Sequence, residues 1–101
     1  MGKIVLRNAK VVMPNRIGKG TVVISDGKIK KIHQGKIFSD PDGIDLEGKY
    51  IVPGFIDVHI HGAAGAAVMD NSIEGLKTIS NFLVTHGTTN FLATTLTRSK
   101  E

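Results

Sequence analysis

The side chains in this chain that most readily ligate a metal ion are its four histidines and nine carboxylates, since it contains no cysteine. Two of the histidines stand out by spacing. His59 and His61 lie two apart in Phe55-Ile56-Asp57-Val58-His59-Ile60-His61. In an extended strand, residues two apart project to the same side, so both imidazoles can reach one metal ion. As a bare pattern His-x-His also arises by chance and in buried strands, so its surroundings decide its weight. The pair closes a strand that begins Pro53-Gly54-Phe55-Ile56, and Gly62 follows at once. Parallel α/β folds bind ligands beyond the carboxyl ends of their strands, which is the end the pair occupies. Asp57 faces the same way, one pleat deeper. It either orients a ligand imidazole from behind or serves as a capping or packing carboxylate. Ile56, Val58 and Ile60 share the other face, and Ile60 is expected in a wall between strand and helix.

The remaining candidates have simpler readings. His86 closes a predicted helix, where a cationic imidazole favours the C-terminal dipole. His33 reads as a surface residue of a strand. The stretch Gly62-Ala63-Ala64-Gly65-Ala66-Ala67 is either a plain flexible connection or a place where backbone amides approach a sugar phosphate. It lacks the Gly-Lys-Ser/Thr of a Walker loop.

The elements that must position these residues fall into two halves. Ile4–Leu6 and Val11–Met13 are short apolar runs, the second closed by Pro14-Asn15, and Thr21–Ser25 is a β-branched strand. Asp26-Gly27 then predicts a tight hairpin, because a type I′ turn needs positive φ at both central residues. On the return strand, Lys28 to Gln34, Ile29 and Ile32 stand three apart, which implies a bulge or a strand end. Ser39 to Gly43 is a loop, and Asp45 to Lys49 leads into the next run. Residues 1–50 therefore form a small β unit.

From Tyr50 onward the pattern changes. After the histidine strand, Asn71 with Glu74 predicts a helix start through a capping box. Ile73, Leu76, Ile79 and Leu83, widened by Phe82, make the apolar stripe, and Gly87 stands at the left-handed C-terminal position. Thr88 to Thr95 reads as a second strand, completing a βαβ unit with parallel strands. Thr97 to Glu101 looks like the opening of another helix with Ser99 as cap. Residue 101 is thus expected to be a fragment boundary.

Composition narrows the partners. The net charge of +4 points either to an anionic partner or to lysines coating exposed strand faces, as at Lys28, Lys30, Lys31 and Lys36. The four phenylalanines and one tyrosine lie outside that cluster, so the stacking expected of a nucleic-acid surface is missing. Neither a signal-peptide h-region, a myristoylation pattern nor a membrane-length apolar run is present. The lack of cysteine fits a reducing cytosol.

The run Val52-Pro53-Gly54-Phe55-Ile56-Asp57-Val58-His59-Ile60-His61-Gly62 resembles the opening motif of the amidohydrolase superfamily. There, Pro-Gly-Phe-Ile-Asp-x-His-x-His begins the first strand of a (β/α)8 barrel. Within it the chain looks most like the N-acetylglucosamine-6-phosphate deacetylase family. That family has a Gly/Ala-rich segment and a Met-Asp after the pair, as in Gly62 to Asp70. It also has a helix ending in His-Gly-Thr-Thr, matched by His86 to Thr89. Its next strand ends Pro-Thr-Thr-Leu-Thr, where this chain has Ala93-Thr94-Thr95-Leu96-Thr97. Ala93 in place of the proline is expected to alter only local strand geometry. Some members replace the histidine pair and bind a single metal, whereas both histidines here leave a two-metal site open.

The resemblance implies an α/β fold: the start of a TIM-like (β/α)8 metal-dependent hydrolase barrel over 51–101, preceded by part of a small β-sandwich over 1–50. It implies that His59 and His61 ligate a divalent metal, Zn²⁺ or Fe²⁺, with one or two per full-length subunit. It implies a small-molecule sugar-phosphate substrate, no nucleic acid and no membrane, and a cytoplasmic homo-oligomer. The further ligands and the proton-shuttling Asp would come from later strands, so the fragment itself is expected to be inactive. Two other readings stay open: another amidohydrolase, of dihydroorotase, cyclic-amide hydrolase or deaminase type, and a non-catalytic β-rich binding module.

Overall fold

The structure, a computed structural model, describes residues 2–35 and 40–99. Lys36, Ser39 at the head of the expected loop, and Lys100 and Glu101 lie outside the described residues. The fold is mixed α/β and mostly strands. Internal contacts divide it into two compact units, Met1–Pro53 and Gly54–Glu101.

The first unit is a sheet of β1 (Lys3–Met13), β2 (Arg16–Ser25), β3 (Lys28–Gln34), β4 (Ile44–Asp45) and β5 (Tyr50–Ile51). Its order is β3-β2-β1-β4, with β5 also on β1; β4 and β5 run parallel to β1 and the rest is antiparallel. The two apolar runs expected as separate strands are one. Leu6 pairs with Val22 and Ala9 with Gly20, so Arg7-Asn8 forms a bulge, with Asn8 at φ 55. Asparagine enters the left-handed region more easily than most residues, and the extra residue shifts the alternation. Leu6, Ala9 and Val11 consequently join one core with Met13, Val22, Ile24, Ile32, Leu46 and Ile51.

The Asp26-Gly27 turn forms as expected, with φ of 52 and 71 joining Ser25 to Lys28. The Ile29/Ile32 irregularity is a bulge: Ile24 faces Ile29 and Val23 faces Lys31, leaving Lys30 over. The stretch after β4 does more than lead onward. The Asp45 carboxylate accepts from the Glu47 amide at 2.8 Å, Asn8 Nδ2 at 2.9 Å and Arg7 Nη1 at 2.7 Å. It therefore ties β4 to the bulge of β1. These donors hold the Asp45 carboxyl below its ordinary pKa, the Glu47 amide first, then Asn8, with the Arg7 charge adding to them.

The second unit contains β6 (Phe55–Ile60), β7 (Gly62–Ala63), β8 (Ala66–Ala67), a 3₁₀ turn (Val68–Asp70), α1 (Ile73–Val84) and β9 (Thr88–Ala93). Strands β6 and β9 pair in parallel across the helix, the expected strand–helix–strand unit. The expected flexible stretch is an antiparallel hairpin, Gly62 to Ala67 and Ala63 to Ala66. Its corner is Ala64-Gly65 at φ 52 and 79, the two positive angles a type I′ turn requires.

The helix cap is also displaced from expectation. Ser72, at φ −127 and ψ 123, is the N-cap, and its Oγ accepts from the Gly75 amide at 3.1 Å. Asn71 sits at φ 50, closing the 3₁₀ turn, and cannot present the extended backbone that an N-cap needs. Glu74 pairs with Lys77 at 3.0 Å instead of completing a capping box. Gly87, at φ 81, ends the segment as expected. Of the apolar stripe, Ile79 and Leu83 are buried, while Ile73, Leu76 and Phe82 are exposed. The helix packs on β9 and the β7–β8 hairpin. Ile56 and Val58 of β6 thus remain 62% and 68% exposed.

Candidate metal centre

His59 is the penultimate residue of β6 and His61 stands just past its end. The strand is irregular here: Asp57 faces Phe91 and Ile60 faces Ala93, so β6 carries one extra residue between them. Bulges of this kind re-aim side chains beside functional sites. The two imidazoles converge, with Nε2 to Nε2 at 3.1 Å and ring planes at 87°.

That separation can be tested against a shared ion. Imidazole nitrogens bonded to one Zn²⁺ at about 2.0–2.1 Å lie about 2.8–3.4 Å apart across right-angled to tetrahedral geometry. The observed 3.1 Å falls inside that interval. Protonation agrees. His61 Nδ1 lies 3.0 Å from the Thr94 carbonyl, which only accepts, so Nδ1 carries the proton. In the neutral ring Nε2 then keeps its lone pair, the arrangement of a metal-ligating histidine. The pair fits a divalent cation. Among the described residues no group of three or more His, Cys, Asp or Glu converges, so they bring two candidate ligands here and not a full set.

Asp57 takes the capping role of the two open to it. Its Oδ1 accepts from the His59 backbone amide at 3.1 Å, and among the described residues no hydrogen bond joins it to either imidazole. His86 is not drawn to the pair: its Nδ1 donates to the Phe82 carbonyl at 3.2 Å and its ring lies 4.6 Å from that of Phe82. It completes the helix end, as expected. His33 sits in β3 opposite Thr21 and is half-buried, less exposed than a surface strand residue.

His61 opens on a cavity of about 380 Å³ lined also by Ala67, Met69, Leu96, Thr97 and Arg98. Three apolar side chains and two polar ones line it beside the candidate ligand. Sequence reasoning did not single out Arg98. Its only available signal was position, five residues beyond the last of β9.

No family model matches the chain. Its sequence and fold are nevertheless similar to those of known proteins, and the similarities are to amidohydrolases. Among them, the N-acetylglucosamine-6-phosphate deacetylase of Lysinibacillus sphaericus is 42% identical over 97 residues, which is 95% of this chain and 25% of that one. Adenine deaminase 2 of Desulfotalea psychrophila is 36% identical over 92 residues, 89% of this chain and 14% of that protein. The fold matches an N-acetyl-D-glucosamine-6-phosphate deacetylase variant from Mycobacterium smegmatis, solved in complex with N-acetyl-D-glucosamine-6-phosphate. That match has a TM-score of 0.81 at 22% identity, over 92% of this chain and 24% of that one. The chain thus spans about a quarter of the length of the deacetylases it resembles.

Proposed function

We propose that the full-length protein is a metal-dependent amidohydrolase that deacetylates N-acetylglucosamine 6-phosphate to glucosamine 6-phosphate and acetate. The observation that carries this reading is the convergence of His59 and His61 at a strand end, Nε2 to Nε2 at 3.1 Å, with His61 Nδ1 already committed to a carbonyl. The 42% identity to a deacetylase supports the substrate class.

In this reading His59 and His61 hold a divalent ion, Zn²⁺ or Fe²⁺, as one or both members of a one- or two-metal site. Such an ion supplies Lewis-acid polarisation of the acetamide carbonyl and a water of lowered pKa. The chain's own part is positional: it fixes two imidazoles at one edge of the site and places the cavity beside His61. The first unit, through Pro53, is then part of a small β-sandwich and the second, from Gly54, the first βαβ unit of a (β/α)8 barrel, in a homo-oligomeric enzyme. The remaining ligands and the proton-shuttling Asp belong to later strands.

Steady-state assays of the full-length protein test the substrate. Hydrolysis of the phosphorylated sugar is expected, with the unphosphorylated sugar much poorer. Background rates on the phosphorylated sugar together with turnover of dihydroorotate or adenine would reject deacetylation and leave the wider amidohydrolase reading in place.

A further inference from the structure

Beyond the histidines themselves, one residue makes a concentrated set of contacts at this strand end. Strand β9 ends at Ala93, so the next residue, Thr94, lies past the regular ladder. Its backbone amide nevertheless donates to the Ile60 carbonyl at 2.9 Å. Its Oγ1 accepts from the Ile60 amide at 3.3 Å and donates to the Leu92 carbonyl at 3.0 Å. Its own carbonyl accepts the Nδ1 proton of His61 at 3.0 Å. Both peptide groups of Ile60, the residue between the two histidines, are therefore held by Thr94, with a side-chain hydroxyl standing in for a backbone acceptor.

We infer that Thr94 is the positioning residue of the candidate metal pair. Its hydroxyl clasps Ile60, setting the spacing of the imidazoles, and its carbonyl locks His61 as the Nδ1–H tautomer with Nε2 free for the ion. The inference rests on the ligand reading of His59 and His61. It explains why a hydroxyl is useful at position 94: valine has the same shape but neither accepts from Ile60 nor donates to Leu92. Outer partners of ligating histidines typically change metal affinity by about 10–100-fold when lost.

The test uses the full-length protein. Long-range proton–nitrogen correlation on the metal-free, unmutated protein should show His61 protonated at Nδ1. Protonation at Nε2 instead would overturn the inference, and this readout needs no variant to fold. Titration with Zn²⁺ then compares substitutions. Thr94→Val should weaken binding by about tenfold or more, while Thr94→Ser, which keeps the hydroxyl, should bind as the unmutated protein does. Folded Thr94→Val with unchanged affinity, beside a His61→Ala variant that loses metal, would reject the role of Thr94 and leave the ligand reading standing. Unchanged metal binding in His61→Ala would remove both.

Discussion

His59 and His61 owe their reach to strand geometry, but their aim depends on neighbours. The His61 ring is held from behind by a carbonyl, and the His59 backbone by Asp57. Under the proposed ligation, loss of either imidazole would remove a direct bond to the ion and open the site to water. In the full-length protein, His59→Ala and His61→Ala should each lower metal content and cut turnover sharply; elemental analysis beside kinetics checks this, and full metal content in both would contradict the ligand role. Asp45 offers a separate test, in acid. Its carboxyl is held below its ordinary pKa by the Glu47 amide, Asn8 and Arg7. A depressed folded value means its contribution is complete above the unfolded pKa of about 3.9 and is lost as pH falls through the lower folded value. Asp45→Ala should therefore lower the unfolding midpoint of the full-length protein at pH 7 and have a smaller effect at pH 3. An equal effect at both would show that the charge is not what matters.

At the scale of elements, the helix that links the two parallel strands starts one residue later than its sequence implies. Ser72 carries the cap and Glu74 makes only an exposed pair with Lys77. Ser72→Ala should cost about 0.5–2 kcal/mol, whereas Glu74→Ala should cost only about 0.2–0.5 kcal/mol, the size of a surface helix pair. Denaturant unfolding of the two variants separates these roles, and a larger loss for Glu74→Ala would restore the capping box. The hairpin after the histidines makes a complementary point. At Gly62 a side chain would run into the Ala66 carbonyl and approach the Ala67 Cα at 2.9 Å, so the turn needs the missing Cβ there. Its return strand places Ala67 beside His61 in the cavity wall.

At the scale of the whole molecule, the described residues supply two candidate ligands and a parallel strand pair with uncovered apolar side chains. Phe55, Ile56, Val58 and Leu92 are all exposed. Neighbouring exposed apolar residues and open strand edges favour association with other surfaces. Complete domains hold only about 5–15 kcal/mol of net stability, so a chain lacking much of its cover has little margin. The 101-residue chain by itself is expected to show no deacetylation and to aggregate or melt without a sharp transition. A monodisperse monomer with a cooperative melt, or measurable acetate release by it, would contradict this.

Much that depends on backbone preference over a few residues was legible in the sequence. Asp26-Gly27 and Gly87 announce positive φ because few residue types tolerate it. His59 and His61 announce a shared side because the strand period is two. The parallel β6–β9 pair follows from strand–helix–strand patterning. What was not legible depends on the residue that comes to lie opposite. The bulges at Asn8 and before Ile60 are register shifts between strands, which neither strand's sequence states alone. Ser72 displaced Asn71 because the preceding 3₁₀ turn consumed the asparagine's conformation. The helix covers β9 and the hairpin and leaves β6 bare, a choice made by packing between elements. Thr94 reaches His61 only after β9 has paired beside β6, so its role was set by tertiary pairing and not by any local pattern. Sequence thus determined the two imidazoles and their spacing; the pairing of distant strands decided which nitrogen of His61 meets the Thr94 carbonyl.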